Sequence, residues 1–144
     1  GFIGPEEDVR NLQNNSQINI SDTAGAESDI SSELQEIESQ AAAIENRLKT
    51  EPLDQSTMNL LSAQLYKLWD DELNSVWGRL KTTLDSAAMD KLTQEEKKWI
   101  SNKENAIEQA GLEYDGGTMR PMVENQTGAD LTKQRVYELS QYLK

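Results

Sequence analysis

The chain of 144 residues contains no cysteine and no histidine. The first absence excludes disulfides and thiolate nucleophiles, the second removes the imidazole base, and together they remove the usual zinc sites. Missing cysteines do not assign a compartment, since many secreted bacterial proteins lack them too. No apolar run approaches the length of a membrane span, and no signal-peptide core is present. Hydrophobic residues make up 35% of the chain, below the usual globular share, so part of it is expected to pack poorly. Bases are also scarce: ten acids face three bases in residues 1–50, and sixteen face eleven in the remainder, for a net charge of −12. Such a chain repels phosphate backbones and anionic headgroups, which argues against a nucleic-acid partner, and it steers toward basic proteins. Ordinary solubility accounts for the same acidity.

Residues 1–28 are rich in Asn, Ser, Gly, Asp and Glu without sustained apolar period, and read as a solvated leader or linker. The alternative is that Ile18-Asn19-Ile20 docks on the rest as a short extended segment. The start, Gly1-Phe2-Ile3-Gly4-Pro5, has the character of a cut edge, compatible with a secretion signal or lipid anchor upstream. From Asp29 the pattern changes. Ile30, Leu34, Ile37, Ala41, Ile44 and Leu48 form a heptad seam on one helix over 29–51, with Ser31 or Ser32 as cap and Pro52 just beyond. About three heptads are marginal for a free coiled coil, so the seam needs a partner, either the rest of the chain or another helix through self-association or assembly.

Three further helices are expected. The first runs from Ser56, with Ser56 or Thr57 as cap, to about Ser86, its buried stripe marked by Met58, Leu61, Leu65, Leu68, Leu73, Val76, Leu80 and Leu84. The second covers about Ala87 to Ala110, where Thr93-Gln94-Glu95-Glu96 resembles a capping box restarting the helix after a bend, and Gly111 is a natural stop. Asp115-Gly116-Gly117 marks a loop, and the last helix covers about Met122 to Leu143. The fold class is therefore all-α, an antiparallel bundle of about three core helices with an added N-terminal heptad helix.

Chemistry is hard to place on this framework. Asp70, Asp71 and Glu72 are consecutive on a helix, so their side chains splay by about 100° and cannot converge on one metal unaided. They read as a solvated acidic patch with one member turned inward. Glu113-Tyr114-Asp115-Gly116-Gly117 lacks the ligand pattern of a calcium loop, and no Lys-Ser or Lys-Thr follows the glycines as a phosphate loop requires. Paired carboxylates do glycosidase chemistry without histidine, but among twenty-six acids some pair is inevitable and none is marked out. No catalytic residue, metal site or cofactor is assigned. Among the tryptophans, Trp77 fits the buried stripe and Trp99 is expected to meet it across the helix pair. Trp69 falls at the stripe's edge, where core packing and a partner-facing anchor are both open.

One resemblance adds a function. Asp70-Asp71-Glu72-Leu73-Asn74-Ser75-Val76-Trp77-Gly78-Arg79-Leu80, then Leu92, Trp99-Ile100, Lys103-Glu104, Gly116-Gly117-Thr118-Met119 and Leu131-Thr132 with Arg135, resemble in order and spacing the fingerprint of the LprI-type family. These are small bacterial envelope domains named after a lysozyme inhibitor. The resemblance covers about 53–143. It departs in carrying Glu96 and Lys103-Glu104 where a Gln and an Arg-Asp pair are usual, and Leu61, Ile107 and Thr127 where cysteines commonly stand. What it implies is a helical, non-enzymatic, extracytoplasmic binding protein, lipoprotein-derived, whose acidic surface engages a basic lysozyme or muramidase. Contact residues expected on that basis are Trp69, Asp70, Asp71, Glu72, Gly116, Gly117, Thr118 and Met119. Asp70, Leu73, Asn74, Trp77, Trp99, Lys103, Gly117, Thr132 and Arg135 read as structural, with Asp70 as partner for the Asn74 amide and a buried acid as partner for Arg135. The alternative function is a structural or assembly module of the cell envelope, using the Ile30–Leu48 seam.

Overall fold

A computed structural model describes residues 26–144. Four helices follow one another, α1 (Ala26–Thr50), α2 (Gln55–Thr83), α3 (Ser86–Leu112) and α4 (Arg120–Ser140), and a 3₁₀ turn (Gln141–Leu143) ends the chain. They pack as an all-α bundle, with no strand among the described residues. The leader expected over 1–28 lies outside the described residues except for its last three positions, which belong to α1.

The helix boundaries are set by caps that periodicity does not show. Asp54, rather than Ser56 or Thr57, caps α2, its carboxylate accepting the Thr57 backbone N–H at 2.7 Å. Asp85 does the same for α3, accepting from Ala88 N–H at 2.8 Å, so only Leu84 and Asp85 separate α2 from α3. Ser31 and Ser32 lie inside α1, which starts earlier than expected, and cap nothing. Nor does the helix restart at Thr93: α3 is continuous, and the Thr93 hydroxyl donates to the Met89 carbonyl at 2.7 Å instead of capping a new helix.

The core runs along α2, whose Leu61, Leu65, Trp69, Leu73, Val76, Trp77 and Leu80 are buried. The α1 seam closes on it within the same chain. Ile30, Leu34 and Ala41 are buried in the common core, with Ile37 and Ile44 packed against it. On the other side α2 and α4 make the most extensive helix contact, and α3 packs mainly on α4. Gly128 explains the closeness of α2 and α4, since a Cβ added there would lie 2.7 Å from the Tyr66 ring. Gly128→Ala is therefore expected to destabilise the bundle by about 1–2 kcal/mol, overpacking outweighing the gain in helix propensity. A thermal melt tests this, and a raised Tm would show that the ring swings aside freely.

At the positions the resemblance assigns to cysteines, Leu61 is buried while Ile107 and Thr127 are half-buried, so ordinary packing occupies these places. Leu131 lies only half inside. The Trp77–Trp99 meeting is replaced by Trp69 with Tyr137, ring centroids 6.2 Å apart and planes tilted by 46°. No described helix is long and apolar enough to cross a membrane.

Candidate functional site

Two regions answer to the expected functional residues, one inside the bundle and one at its end. Inside, three helices bring polar side chains together. Asp70 from α2, Glu96 and Lys103 from α3 and Arg135 from α4 are all inward, with Glu96 and Lys103 only 1% and 2% exposed. Arg135 Nε donates to Glu96 Oε1 at 2.7 Å. The Lys103 ammonium lies 5.0 Å from the Trp99 ring centre and 5.4 Å from that of Tyr66, and the Arg135 guanidinium lies 5.9 Å from Trp99. Burial pushes the Glu96 carboxyl above its ordinary range although Arg135 and Lys103 pull it down, and burial likewise raises Asp70 against the pull of Lys103. The Tyr66 hydroxyl is pushed up to about 12, chiefly by burial and then by the charges of Asp70 and Glu104. Two acids and two bases thus meet inside the bundle, both cations near the Trp99 ring, and Arg135 also reaches the exposed Glu138 at 3.5 Å.

Asp70, Trp99, Lys103 and Arg135 all belong to the fingerprint, so its polar residues meet as an internal tie between α2, α3 and α4. The Asn74 side-chain oxygen and the Thr132 hydroxyl are buried without a hydrogen-bond partner among the described residues.

A second buried group went unnoticed in the sequence. Glu72 of α2 is 5% exposed and faces Glu33 of α1, which pairs with Arg79. Burial, then the neighbouring Glu33 carboxyl, pushes Glu72 up to about 9 despite the Arg79 charge. One carboxyl oxygen of each, Glu33 Oε2 and Glu72 Oε2, is buried without a hydrogen-bond partner among the described residues. Its only sequence signal was an acid one turn from the stripe residues Val76 and Leu68.

These positions correct the expected acidic surface patch. Of the triplet, only Asp71 faces water, paired with the exposed Lys67 at 2.7 Å, while Asp70 and Glu72 are turned inward on different sides of α2. Trp69, at 1% exposure, is core and offers no ring to a partner. The acids with raised pKa are enclosed between helices rather than set in a cleft. An open depression along α4, lined by Asp130, Lys133, Gln134, Tyr137, Glu138 and Gln141, contains none of them. No group of three or more acids among the described residues is placed to hold a metal ion.

The other region is the end of the bundle where α3 turns into α4. Its turn is held by backbone bonds from Tyr114 N–H to Gly111 carbonyl at 3.0 Å and from Gly117 N–H to Tyr114 carbonyl at 2.9 Å. Gly116 adopts φ +79°, a conformation that excludes most side chains. Arg120 clamps the turn, donating to Asp115 at 2.6 Å and to Glu124 at 3.3 Å. Asn59 Nδ2 of α2 donates to the Thr118 carbonyl at 3.0 Å, tying loop to helix. Gly116, Gly117, Thr118 and Met119 are all exposed there.

Against this geometry, known proteins give a consistent placement. An uncharacterised protein of Rhizobium meliloti (strain 1021) is 29% identical over 104 residues, covering 63% of this chain and 75% of its own. No solved structure matches. Residues 49–139 match the family described as lysozyme inhibitor LprI, a stretch that runs from the last residues of α1 almost to the end of α4 and takes in both the internal tie and the exposed turn, and the chain belongs to that family.

Proposed function

We propose that this protein is a non-enzymatic, extracytoplasmic binding protein that inhibits a basic lysozyme or muramidase, carried to the envelope as a lipoprotein. The family match over 49–139 is the observation that carries this reading. A net charge of −12 supports it, because opposite charge accelerates encounter and helps to orient the complex. Of the residues first expected at the contact, Asp71, Gly116, Gly117, Thr118 and Met119 are exposed and remain candidates; Trp69, Asp70 and Glu72 act from inside by holding the helices in place. Packing of Ile30, Leu34, Ile37, Ala41 and Ile44 of the heptad seam within the chain favours this reading over an assembly module.

Titration with egg-white lysozyme at low and at physiological salt, reading both binding and residual cell-wall hydrolysis, tests the proposal. Saturable binding that survives physiological salt and suppresses hydrolysis is expected. Binding that vanishes with salt and leaves hydrolysis intact would reduce the acidity to generic attraction.

A further inference from the structure

Large apolar side chains left in water are concentrated at one end of the bundle. Leu60 at 59%, Leu112 at 47%, Met119 at 40% and Tyr114 at 37% exposure belong to the first turns of α2 or to the α3–α4 turn, which the Asn59–Thr118 bond joins. Among the described residues, Tyr142 is the remaining exposed large hydrophobic side chain, beyond the far end of α4. Charge around the cluster is predominantly negative. From Glu104 to Asp130 the chain carries six acids and one base, Arg120, and that base is already engaged by Asp115 and Glu124. Of the two bases in the last turn of α1 at the same end, Arg47 is likewise engaged by Glu51, while Lys49 is exposed.

We infer that this end is the docking surface, a convex acidic turn with Tyr114, Leu112, Met119 and Leu60 as apolar anchors, and that its occupant is a basic protein with an open cleft, the lysozyme of the proposed function. The inference rests on that proposal and deepens it by naming the contact. Three observations meet here. Exposed aromatic and aliphatic side chains supply the anchors that dominate association energies. The exposed acids Glu108 and Glu113, without an ion pair among the described residues, flank them and complement a basic rim. The turn is already rigid, held by its own backbone bonds, the Arg120 clamp and the tie to Asn59, so little ordering entropy is lost on binding. An enzyme that cleaves a polysaccharide needs a cleft for the chain, and a projecting turn is the shape that enters one. Occupation of that cleft makes the inhibition competitive with the cell-wall polymer.

The test compares the wild type with Tyr114→Ala/Met119→Ala, with Gly116→Val, which disturbs the turn but keeps its anchors, and with Tyr142→Ala as control at the far end. Affinity for egg-white lysozyme is read by calorimetry, and the inhibition pattern from hydrolysis at several polymer concentrations. Since the altered residues are exposed, unchanged circular dichroism is expected for all three, with unchanged melting for the two alanine variants and a modestly lowered Tm for Gly116→Val, whose side chain is strained at φ +79°. The double variant and Gly116→Val should each weaken binding at least about tenfold, Tyr142→Ala should bind like the wild type, and inhibition should be competitive. Wild-type binding with an undiminished double variant, or a tip that instead mediates pairing of two copies in sedimentation, overturns the docking inference and leaves the inhibitor reading standing. No wild-type binding overturns that reading and the inference together.

Discussion

Replacing Arg135 with methionine is expected to cost about 3–5 kcal/mol of folding stability, read as a fall in the urea midpoint at unchanged slope. The replacement leaves Glu96, 1% exposed, without the guanidinium that donates to it at 2.7 Å. Lys103 remains near but also serves Asp70, and its ammonium is held against the Tyr66 and Trp99 rings, so it compensates only in part. The loss reports an uncompensated buried charge rather than the net worth of the pair. A double variant, Glu96→Leu/Arg135→Met, should therefore recover most of it, because removing both charges removes their desolvation cost as well. Glu96 Oε2 and Arg135 Nη2 lack partners among the described residues, which adds to that cost in the wild type. A loss below about 1 kcal/mol for Arg135→Met would mean that water reaches the pair and screens it.

Stability should also fall as pH rises from about 5 to 8, and Glu72→Gln should flatten much of the slope. Glu72 in the folded chain keeps its proton up to about 9, against an ordinary value of 4.5. Between these two values the folded state binds the proton that the unfolded state has released. The contribution is thus complete below the unfolded pKa and is lost as pH climbs toward the folded one. Over the whole window this amounts to a few kcal/mol, on the order expected for a carboxyl shifted by burial and a like charge. Asp70 and Glu96, also raised, act with the same sign, so the difference between wild-type and Glu72→Gln curves isolates Glu72. Asp54 has the opposite sign, since its cap bond to Thr57 holds it low and is lost only on the acid side. Because Glu33 and Arg79 are the other members of the group, the pH effect should appear first as loosening of α1 from α2, visible in hydrogen exchange. Parallel pH profiles for the two proteins would show that Glu72 titrates normally.

The helices and the inward direction of most apolar residues were legible in the chain, because period and length of apolar spacing are local properties. The seam from Ile30 to Leu48, the stripe from Leu61 to Leu80 and the Asp115-Gly116-Gly117 turn all follow from residues within a few positions of one another. So does the absence of disulfide, thiol and imidazole chemistry, which composition alone decides.

The burial of polar groups was decided only when the helices met. Nothing local distinguishes Asp71, which faces water, from Asp70 and Glu72, because which side of α2 is covered depends on α1 on one flank and on α3 and α4 on the other. Trp69 became core rather than anchor for the same reason, Tyr137 of α4 covering its ring. Glu96 found Arg135 across 39 positions of sequence and Glu33 found Arg79 across 46, distances at which periodicity carries no information. The exposed end likewise exists only in three dimensions: Leu60 and Met119 are ordinary helix and loop residues until the Asn59–Thr118 bond sets them at one face of the bundle.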